Sequence, residues 1–442
     1  MQNDKTTLKD LTFLGTGEGS IFSLIDHTVT AAGRAVLRRH IEKPPENYEE
    51  LITLQQSIRF FAGNPDAWTS IVSNGTLVML EKFFDVADNT GSLPDGFTLS
   101  LGSFLQKLLN RNQYTFTQFS LSHLSDFLKG CAELVKALEH PGIPAGLASV
   151  MRELKEEMDN QRLTDAVMSI NGKTPYKELV RLSFSARREM KNPVQRMMRK
   201  FAVLDAWRSM GLATLANGWV FPEVSPSLPV NMKASGLYHP LIKSPVAYDI
   251  NLDKDRNFLI LTGANMSGKT TFMRTLGVAG LLAHLGMGVP ANSYAVSFLQ
   301  GIITNMHVED NIMAGESYFF AEVQRIRNTA LKIQQPLPHL VLMDELFKGT
   351  NVHDAYECTK AVIEGLLNHP RHLMVLSTHL YEVAQQFLSR EDIIFNYFVT
   401  DLSSEGNYSF SYALREGISD DRIGYRILQK EGVIDLLKGG AV

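Results

Sequence analysis

The 442-residue chain contains 44% hydrophobic and 20% charged residues, which is the composition of an ordinary globular protein. Its length exceeds what a single hydrophobic core usually holds. No apolar run has membrane-spanning length, the start lacks the features of a signal peptide, and two distant cysteines, Cys131 and Cys358, suggest no metal site or disulfide framework. We therefore expect two domains in a cytoplasmic protein without a membrane segment, and at a net charge of −4 any contact with nucleic acid must be local.

The first half of the chain has the apolar periodicity of helices. Residues 8–62 predict amphipathic helices after a polar turn, with Thr30 as a helix cap and Pro44-Pro45 as a stop. The pattern continues over residues 77–86, 98–110, 117–139 and 144–160, with turns that contain Gly, Pro or Asn between them. We therefore predict a helical first domain over residues 1–216.

Asn192-Pro193 fits two structures, the N-cap and first position of a new helix or a kink within one long helix. Basic residues are concentrated around it, with Glu189 as the one acid among Arg181, Arg187, Arg188, Lys191, Arg196, Arg199 and Lys200. Such a run is more often a solvated helix face than a binding surface. The alternative is a surface for DNA phosphates, to which Arg187, Arg188 and Lys191 would contribute.

The composition changes after residue 216. Residues 217–230 replace helix formers with Pro and β-branched residues, which predicts a boundary followed by short strands. The second domain is therefore predicted over residues 217–442.

The second domain is organised around a phosphate-binding loop. An apolar strand, Phe258 to Leu261, enters the pattern Gly-x4-Gly-Lys-Thr, and a helical pattern follows, which is the context that a P-loop requires. Its backbone N–H groups can surround phosphates, Lys269 can reach the β- and γ-phosphates, and the Thr270 hydroxyl can ligate Mg²⁺. The residues expected to bind the nucleotide are Gly263, Ala264, Asn265, Met266, Ser267, Gly268, Lys269, Thr270 and Thr271.

Two later strands also end in polar residues. The apolar run that begins at Leu340 ends in Asp344 and Glu345, which fits Asp344 near Mg²⁺ and Glu345 as the base that polarises the attacking water. A third strand is followed by His379, whose imidazole could sense the γ-phosphate. Strands that alternate with helices over 271–286, 318–334, 353–368 and 380–389 predict a mostly parallel, helix-covered sheet.

These segments together resemble the MutS family of DNA mismatch repair ATPases. The loop Gly263–Arg274 contains the Asn-Met dipeptide that is distinctive of that family. Residues 20–60 resemble the start of the family's core domain, so the resemblance spans most of the chain. Four further segments carry it: Tyr238–Ile242, Gly315–Glu322, Asp344–Asp354 and Ser377–His379.

The resemblance implies a multidomain α and α/β fold, in which a helical core and lever domain precedes an ABC-class P-loop ATPase domain. It implies ATP and Mg²⁺ as cofactors and a homodimer in which Ser317 of one chain completes the ATP site of the other. Ser317 is thus expected to be catalytic, together with Glu345 and His379. It also implies a role in DNA repair or recombination.

The chain also departs from the family pattern. It begins at the core domain, so we expect a short form without the mismatch-recognition and connector domains, which does not read mismatches directly. Phe347 and Lys348 replace the usual Gly-Arg, and Tyr248 replaces an Asn near the nucleotide base. Two functions of other classes stay open at this point, an ATP-regulated scaffold that does not bind DNA and a P-loop kinase for a small molecule.

Overall fold

The structure, a computed structural model, describes residues 4–15, 19–85, 111–158, 161–306, 318–402, 408–419 and 433–437. The chain forms two units, one of Ile25–Arg39 and Thr53–Leu215 and the other of Met1–Leu24, His40–Ile52 and Ala216–Val442. Each unit has its own hydrophobic core. The boundary between residues 216 and 217 stays a prediction.

Among the described residues before 217 the regular structure is helical, as the apolar periodicity predicts. The predicted segment 98–110 lies outside the described residues. No helix in the described ranges is both long and apolar enough to cross a membrane. The helices are α1 (Lys5–Asp10), α2 (Ile21–Ile25), α3 (Ala31–Glu42), α4 (Tyr48–Gly63), α5 (Asn74–Asp85), α6 (Arg111–Leu138), α7 (Ala145–Glu157), α8 (Gln161–Met168), α9 (Tyr176–Ser185), a π-helix (Ala186–Met190) and α10 (Lys191–Ala216).

Thr30 caps α3, as its position in the sequence predicts. Its hydroxyl accepts the N–H of Gly33 at 2.9 Å and donates to the buried carboxylate of Asp205 at 2.7 Å. Asp205 also accepts the N–H groups of Val29 and Thr30. A Cβ atom at Gly33 would lie 2.1 Å from Asp205 Oδ2, so the glycine permits the close approach of α3 and α10. Burial raises the pKa of Asp205, and these hydrogen bonds oppose that shift.

The segment around Pro193 is one continuous helical stretch from Tyr176 to Ala216, so Asn192-Pro193 does not begin a new helix. Pro193 has no N–H to donate to the carbonyl four residues earlier, at Glu189. The π-helix Ala186–Met190 lies directly before it, and such a widened turn is a common way for a helix to accommodate a lost hydrogen bond. The prolyl ring therefore changes the helical pitch without ending the helix.

Short strands begin after residue 220, as the change in composition predicts. Four of them form a mixed sheet in the order β1-β5-β2-β3, and only β1 and β5 are parallel neighbours. The strands of this sheet are β1 (Glu223–Ser225), β2 (Met232–Leu237), β3 (Tyr248–Leu252) and β5 (Ser293–Ser297).

The main sheet has six strands in the order β10-β9-β4-β8-β7-β6 and is parallel except for the β9–β10 hairpin. The predicted mostly parallel sheet with alternating helices is confirmed. Its strands are β4 (Phe258–Thr262), β6 (Gly301–Asn305), β7 (His339–Asp344), β8 (Leu373–Ser377), β9 (Ile393–Leu402) and β10 (Tyr408–Glu416). The accompanying helices are α11 (Lys269–His284), α12 (Tyr318–Ile333), α13 (Val352–Leu366), α14 (Tyr381–Gln386) and α15 (Val433–Leu437).

Helix α1 packs in the same unit as this sheet. The carboxylate of Asp10 is 4% exposed and accepts hydrogen bonds from the Thr304 hydroxyl at 2.7 Å and from Arg325 at 2.9 Å. Leu11 is fully buried, and a Cβ atom at Gly277 would lie 2.4 Å from its Cδ2. The start of the chain is therefore joined to β6, α11 and α12 by both polar and apolar contacts.

Candidate functional site

The loop between β4 and α11 has the backbone that the glycine pattern predicts. Gly263 and Gly268 have φ angles of 137° and 109°, and Met266 has a φ of 70°. Glycine adopts such angles without a steric penalty, whereas a residue with a side chain rarely does. The first residue of α11 is Lys269, so the loop delivers its lysine at the positive end of a four-turn helix.

Lys269 points into this loop. Its ammonium group donates to the carbonyl oxygens of Gly263 at 2.8 Å and Ala264 at 2.9 Å, and it lies 3.3 Å from Glu345 Oε1. The lysine is only 4% exposed. Burial lowers its pKa, and the charge of Glu345 opposes that shift. A buried cation is thus held where an incoming anion can replace the carbonyl and carboxylate oxygens.

Asp344 lies at the carboxyl end of β7, beside the first turn of α11. Its Oδ2 accepts the hydroxyl of Thr270 at 2.6 Å, and its Oδ1 accepts the hydroxyl of Ser377 from the neighbouring strand β8. Carboxylate and hydroxyl oxygens are the donors that Mg²⁺ prefers. The described residues contain no cluster of three or more His, Cys, Asp or Glu suited to a metal. Asp344 and Thr270 fit a Mg²⁺ ion whose other ligands come from phosphates and water.

Glu345 is surrounded by basic side chains. Its carboxylate lies 3.3 Å from the ammonium of Lys269, 3.1 Å from that of Lys348 and 3.6 Å from Nδ1 of His379. Burial alone would raise the pKa of Glu345, but the hydrogen bond from His379 and the charges of Lys269 and Lys348 hold it well below its usual range. Glu345 also has a φ of 49°, an uncommon backbone conformation for a residue with a side chain that is often found at functional sites.

The loop after Glu345 is held by α12. The carboxylate of Glu322 accepts the backbone N–H groups of Lys348 and Gly349, each at 3.2 Å. A Cβ atom at Gly349 would lie 2.6 Å from the ring of Tyr318. Phe347 has a φ of 62° and is 5% exposed, with its ring 5.8 Å from that of Phe319. The beginning of α12 and residues 347–349 therefore pack as one piece.

A pocket of about 240 Å³ lies beside the first turn of α11. In it, His239 is 8% exposed, and its Nδ1 accepts the N–H of Leu241 at 3.4 Å. Burial and the charge of Arg274 lower the pKa of His239 to about 4. Its Nε2 therefore carries the proton, and it has no partner among the described residues. The pocket is lined by His239, Ile242, Ser244, Pro245, Val246, Tyr248, Gly268, Thr271, Thr275 and Tyr412.

The structure brings together Lys269, Thr270, Asp344, Glu345 and His379, five of the side chains that the sequence singles out. Asn265 and Met266 are exposed on the loop, and Ser267 is buried in it. Ser317 lies outside the described residues. The roles of all these residues stay predictions.

The basic run between residues 181 and 200 is partly neutralised. Arg196 donates to Glu157 at 2.7 Å, and Lys200 pairs with Glu153. The guanidinium of Arg187 lies over the ring of Phe83, 4.6 Å from its centre. Arg188 is exposed in the π-helix, and Lys191 is half-buried. This arrangement reduces the group of basic residues available to an external anion.

Sequence reasoning did not assign Ser377, Glu322 or Lys348 to the site. Ser377 is adjacent to Asp344 across the β7–β8 register, which the order of the strand ends could have indicated. The contact between Glu322 and residues 348–349 joins helix α12 to a loop through backbone donors, and no pattern of side chains encodes it. Lys348 is visible in the sequence only as a departure from a motif.

Comparisons with known proteins found similarity to one family. Residues 259–436 match the family model described as MutS domain V. The chain is 24% identical to DNA mismatch repair protein MutS 1 of Haloarcula marismortui, over 97% of this chain and 57% of the relative. It is 27% identical to DNA mismatch repair protein MutS of Leuconostoc mesenteroides, over 75% of this chain and 38% of the relative. It is 31% identical to DNA mismatch repair protein msh3 of Aspergillus oryzae, over 52% of this chain and 21% of the relative.

The relatives align with different lengths of this chain. Nearly the whole chain aligns with the haloarchaeal relatives, whereas the msh3 match takes in about half of it. The chain spans no more than 60% of the length of these curated relatives.

Proposed function

The chain belongs to the MutS family, and from this membership we propose that it is a DNA-binding ATPase of DNA repair or recombination. ATP binding would close a homodimer and hydrolysis would open it. In this proposal the chain does not read mismatches itself.

The ATPase part of the proposal rests on one observation: residues of the P-loop contact the residues at the carboxyl end of β7. Lys269 reaches Glu345, and Thr270 reaches Asp344, at 3.3 and 2.6 Å. A phosphate-binding loop, a pair of oxygen ligands for Mg²⁺ and a carboxylate base are the parts that P-loop hydrolysis requires. A merely structural P-loop has no need for the last two.

ATP binding would change the partners of Lys269 and Glu345, and this change prepares the site for hydrolysis. The phosphates of ATP would take the Lys269 ammonium from the carbonyl oxygens of Gly263 and Ala264 and from Glu345. Glu345, released from one cation, accepts a proton from the water that attacks the γ-phosphorus, while the bond to the β–γ bridging oxygen breaks and ADP leaves. Bound Mg²⁺ supplies charge neutralisation on the phosphate oxygens.

The nucleoside part of ATP would occupy the 240 Å³ pocket beside α11. Gly268 and Thr271 line this pocket and also belong to the phosphate loop and its helix, so the two sites are contiguous.

The dimer part of the proposal is tested by mixing two inactive variants. Ser317→Ala and Lys269→Ala homodimers should both hydrolyse ATP slowly, because each lacks one part of every composite site. A heterodimer has one site in which an intact P-loop faces an intact Ser317, so phosphate release should recover on mixing. Differently tagged subunits show whether heterodimers form. Absence of recovery in proven heterodimers would contradict the contribution of Ser317 in trans.

The DNA part is tested by charge reversal. Arg188→Glu with Lys191→Glu should weaken binding to matched, mismatched and branched duplexes about equally and flatten the salt dependence, because phosphate contacts carry no sequence information. Each lost phosphate contact should reduce the slope of log K against log salt by about 1. Fluorescence anisotropy over a salt series measures both quantities.

Arg187 is reversed separately, since its guanidinium packs over Phe83. The matched control is Arg152→Glu with Lys155→Glu on α7, where the same charge change falls on exposed side chains paired with acids. Equal affinity of the parent and the Arg188/Lys191 variant would reject this surface. An absence of DNA binding by the parent would favour the scaffold, and a strong preference for a mismatch would overturn the proposal that mismatches are not read.

A further inference from the structure

Glu345 is held by two lysines that respond differently to a nucleotide. Lys269 belongs to the phosphate loop, and its ammonium also contacts two loop carbonyls. Lys348 follows Glu345 by three residues and contacts the other carboxylate oxygen, Oε2, at 3.1 Å. An anion in the loop competes for Lys269, whereas Lys348 is on the loop that carries Glu345 itself.

The backbone of Lys348 is fixed independently of its ammonium group. Its N–H and that of Gly349 donate to the two carboxylate oxygens of Glu322, which is 7% exposed. Gly349 lies against Tyr318 and Phe319 with no room for a side chain. A lysine whose backbone is held in this way loses less conformational freedom when its ammonium contacts Glu345.

We propose that Lys348 is a positioning residue that keeps the Glu345 carboxylate aimed at the attacking water after ATP has taken Lys269. This inference rests on the proposed ATP hydrolysis and adds a residue to it. The chain has lysine where the family pattern has arginine, and both side chains can supply a cation to Oε2 from this position. Lys348 acts through Glu345 and is not assigned a contact with the substrate.

The other charged groups around Glu345 support this role for Lys348. ATP would draw Lys269 away, and His379 is half exposed and 3.6 Å from the carboxylate. Lys348 is thus, among the described side chains around Glu345, the permanently charged one that stays beside it. Without it, the carboxylate faces the phosphates with no lysine beside it.

Kinetics of Lys348→Met test the proposal, since methionine keeps much of the aliphatic chain and removes the charge. We expect the single-turnover rate to fall by about 10- to 100-fold, the range expected when a reacting group is misplaced by about 1 Å, with ATP affinity unchanged. Lys348→Arg should restore most of the rate. In a Glu345→Gln background, Lys348→Met should have no further effect, because the side chain that it positions can no longer act as a base.

A purely structural role gives a different result, since it would lower the rate by the same factor in both backgrounds. Equal losses in both backgrounds would overturn the proposal. So would an unchanged rate in Lys348→Met, or a failure of Lys348→Arg to restore the rate. If Lys348→Met does not fold, Lys348→Gln is read by the same measurements. Lys254→Met, at an exposed lysine paired with Asp255, is the control for loss of a positive charge. Parent-like hydrolysis by Glu345→Gln alone would instead reject the proposed function.

Discussion

Lys269→Ala should lose ATP binding. Lys269 is 4% exposed, and its ammonium group points into the loop, where the proposed function places the phosphates. Removing one partner of a buried, hydrogen-bonded charge pair costs about 2–5 kcal/mol or more, which corresponds to a loss of affinity of at least about 30-fold. Titration with a fluorescent ATP analogue or calorimetry in the presence of Mg²⁺ measures the change.

The control for this variant is Lys254→Ala, which removes the same charge from an exposed position in the same unit. It should bind ATP like the parent. A thermal unfolding curve for each variant distinguishes a lost site from a lost fold. If correctly folded Lys269→Ala retains the parent affinity, the phosphates do not bind at this loop.

Glu345→Gln should separate binding from hydrolysis. Glutamine keeps the size of the side chain and can still accept a hydrogen bond, but it is not a base at neutral pH. General base catalysis contributes about 10²- to 10⁴-fold, so the rate of phosphate release should fall by that factor. Affinity for ATP should stay equal or increase, because the substitution removes a carboxylate that competes with the phosphates for Lys269.

Glu364→Gln provides the matched control, since it makes the same substitution at an exposed position of α13. It should hydrolyse ATP at the parent rate. A Glu345→Gln variant that binds ATP and turns it over as fast as the parent would show that another group accepts the proton.

The parts of this site that could be predicted are those encoded within short stretches of sequence. The buried strand Phe258–Thr262, the glycines of the loop and the helix that begins at Lys269 are adjacent in the chain. Asp344 follows a second buried strand. Since parallel strands present their carboxyl ends at one edge of a sheet, the predicted parallel sheet places Asp344 and Thr270 at the same edge.

The parts that could not be predicted depend on tertiary contacts between backbone and side chain. Glu322 accepts two backbone N–H groups from a loop 26 residues away, and a backbone donor has no sequence signature. Phe347 occupies a left-handed conformation that glycine would adopt more easily. Its packing against Phe319 compensates. The Asn-Pro pair allows either a new helix or one long helix, so the sequence alone did not predict the π-helix before Pro193.

The attachment of α1 has a consequence for the order of events during synthesis of the protein. Asp10 is made 315 positions before its partner Arg325. At about 5–20 residues per second, a ribosome needs roughly 15–60 s to cover that distance. All the residues of the helical unit, which ends at Leu215, are made within this interval. The apolar side chain of Leu11 must likewise wait for α11, because it packs against Gly277. This N-terminal segment therefore depends on protection from premature association while the chain is incomplete.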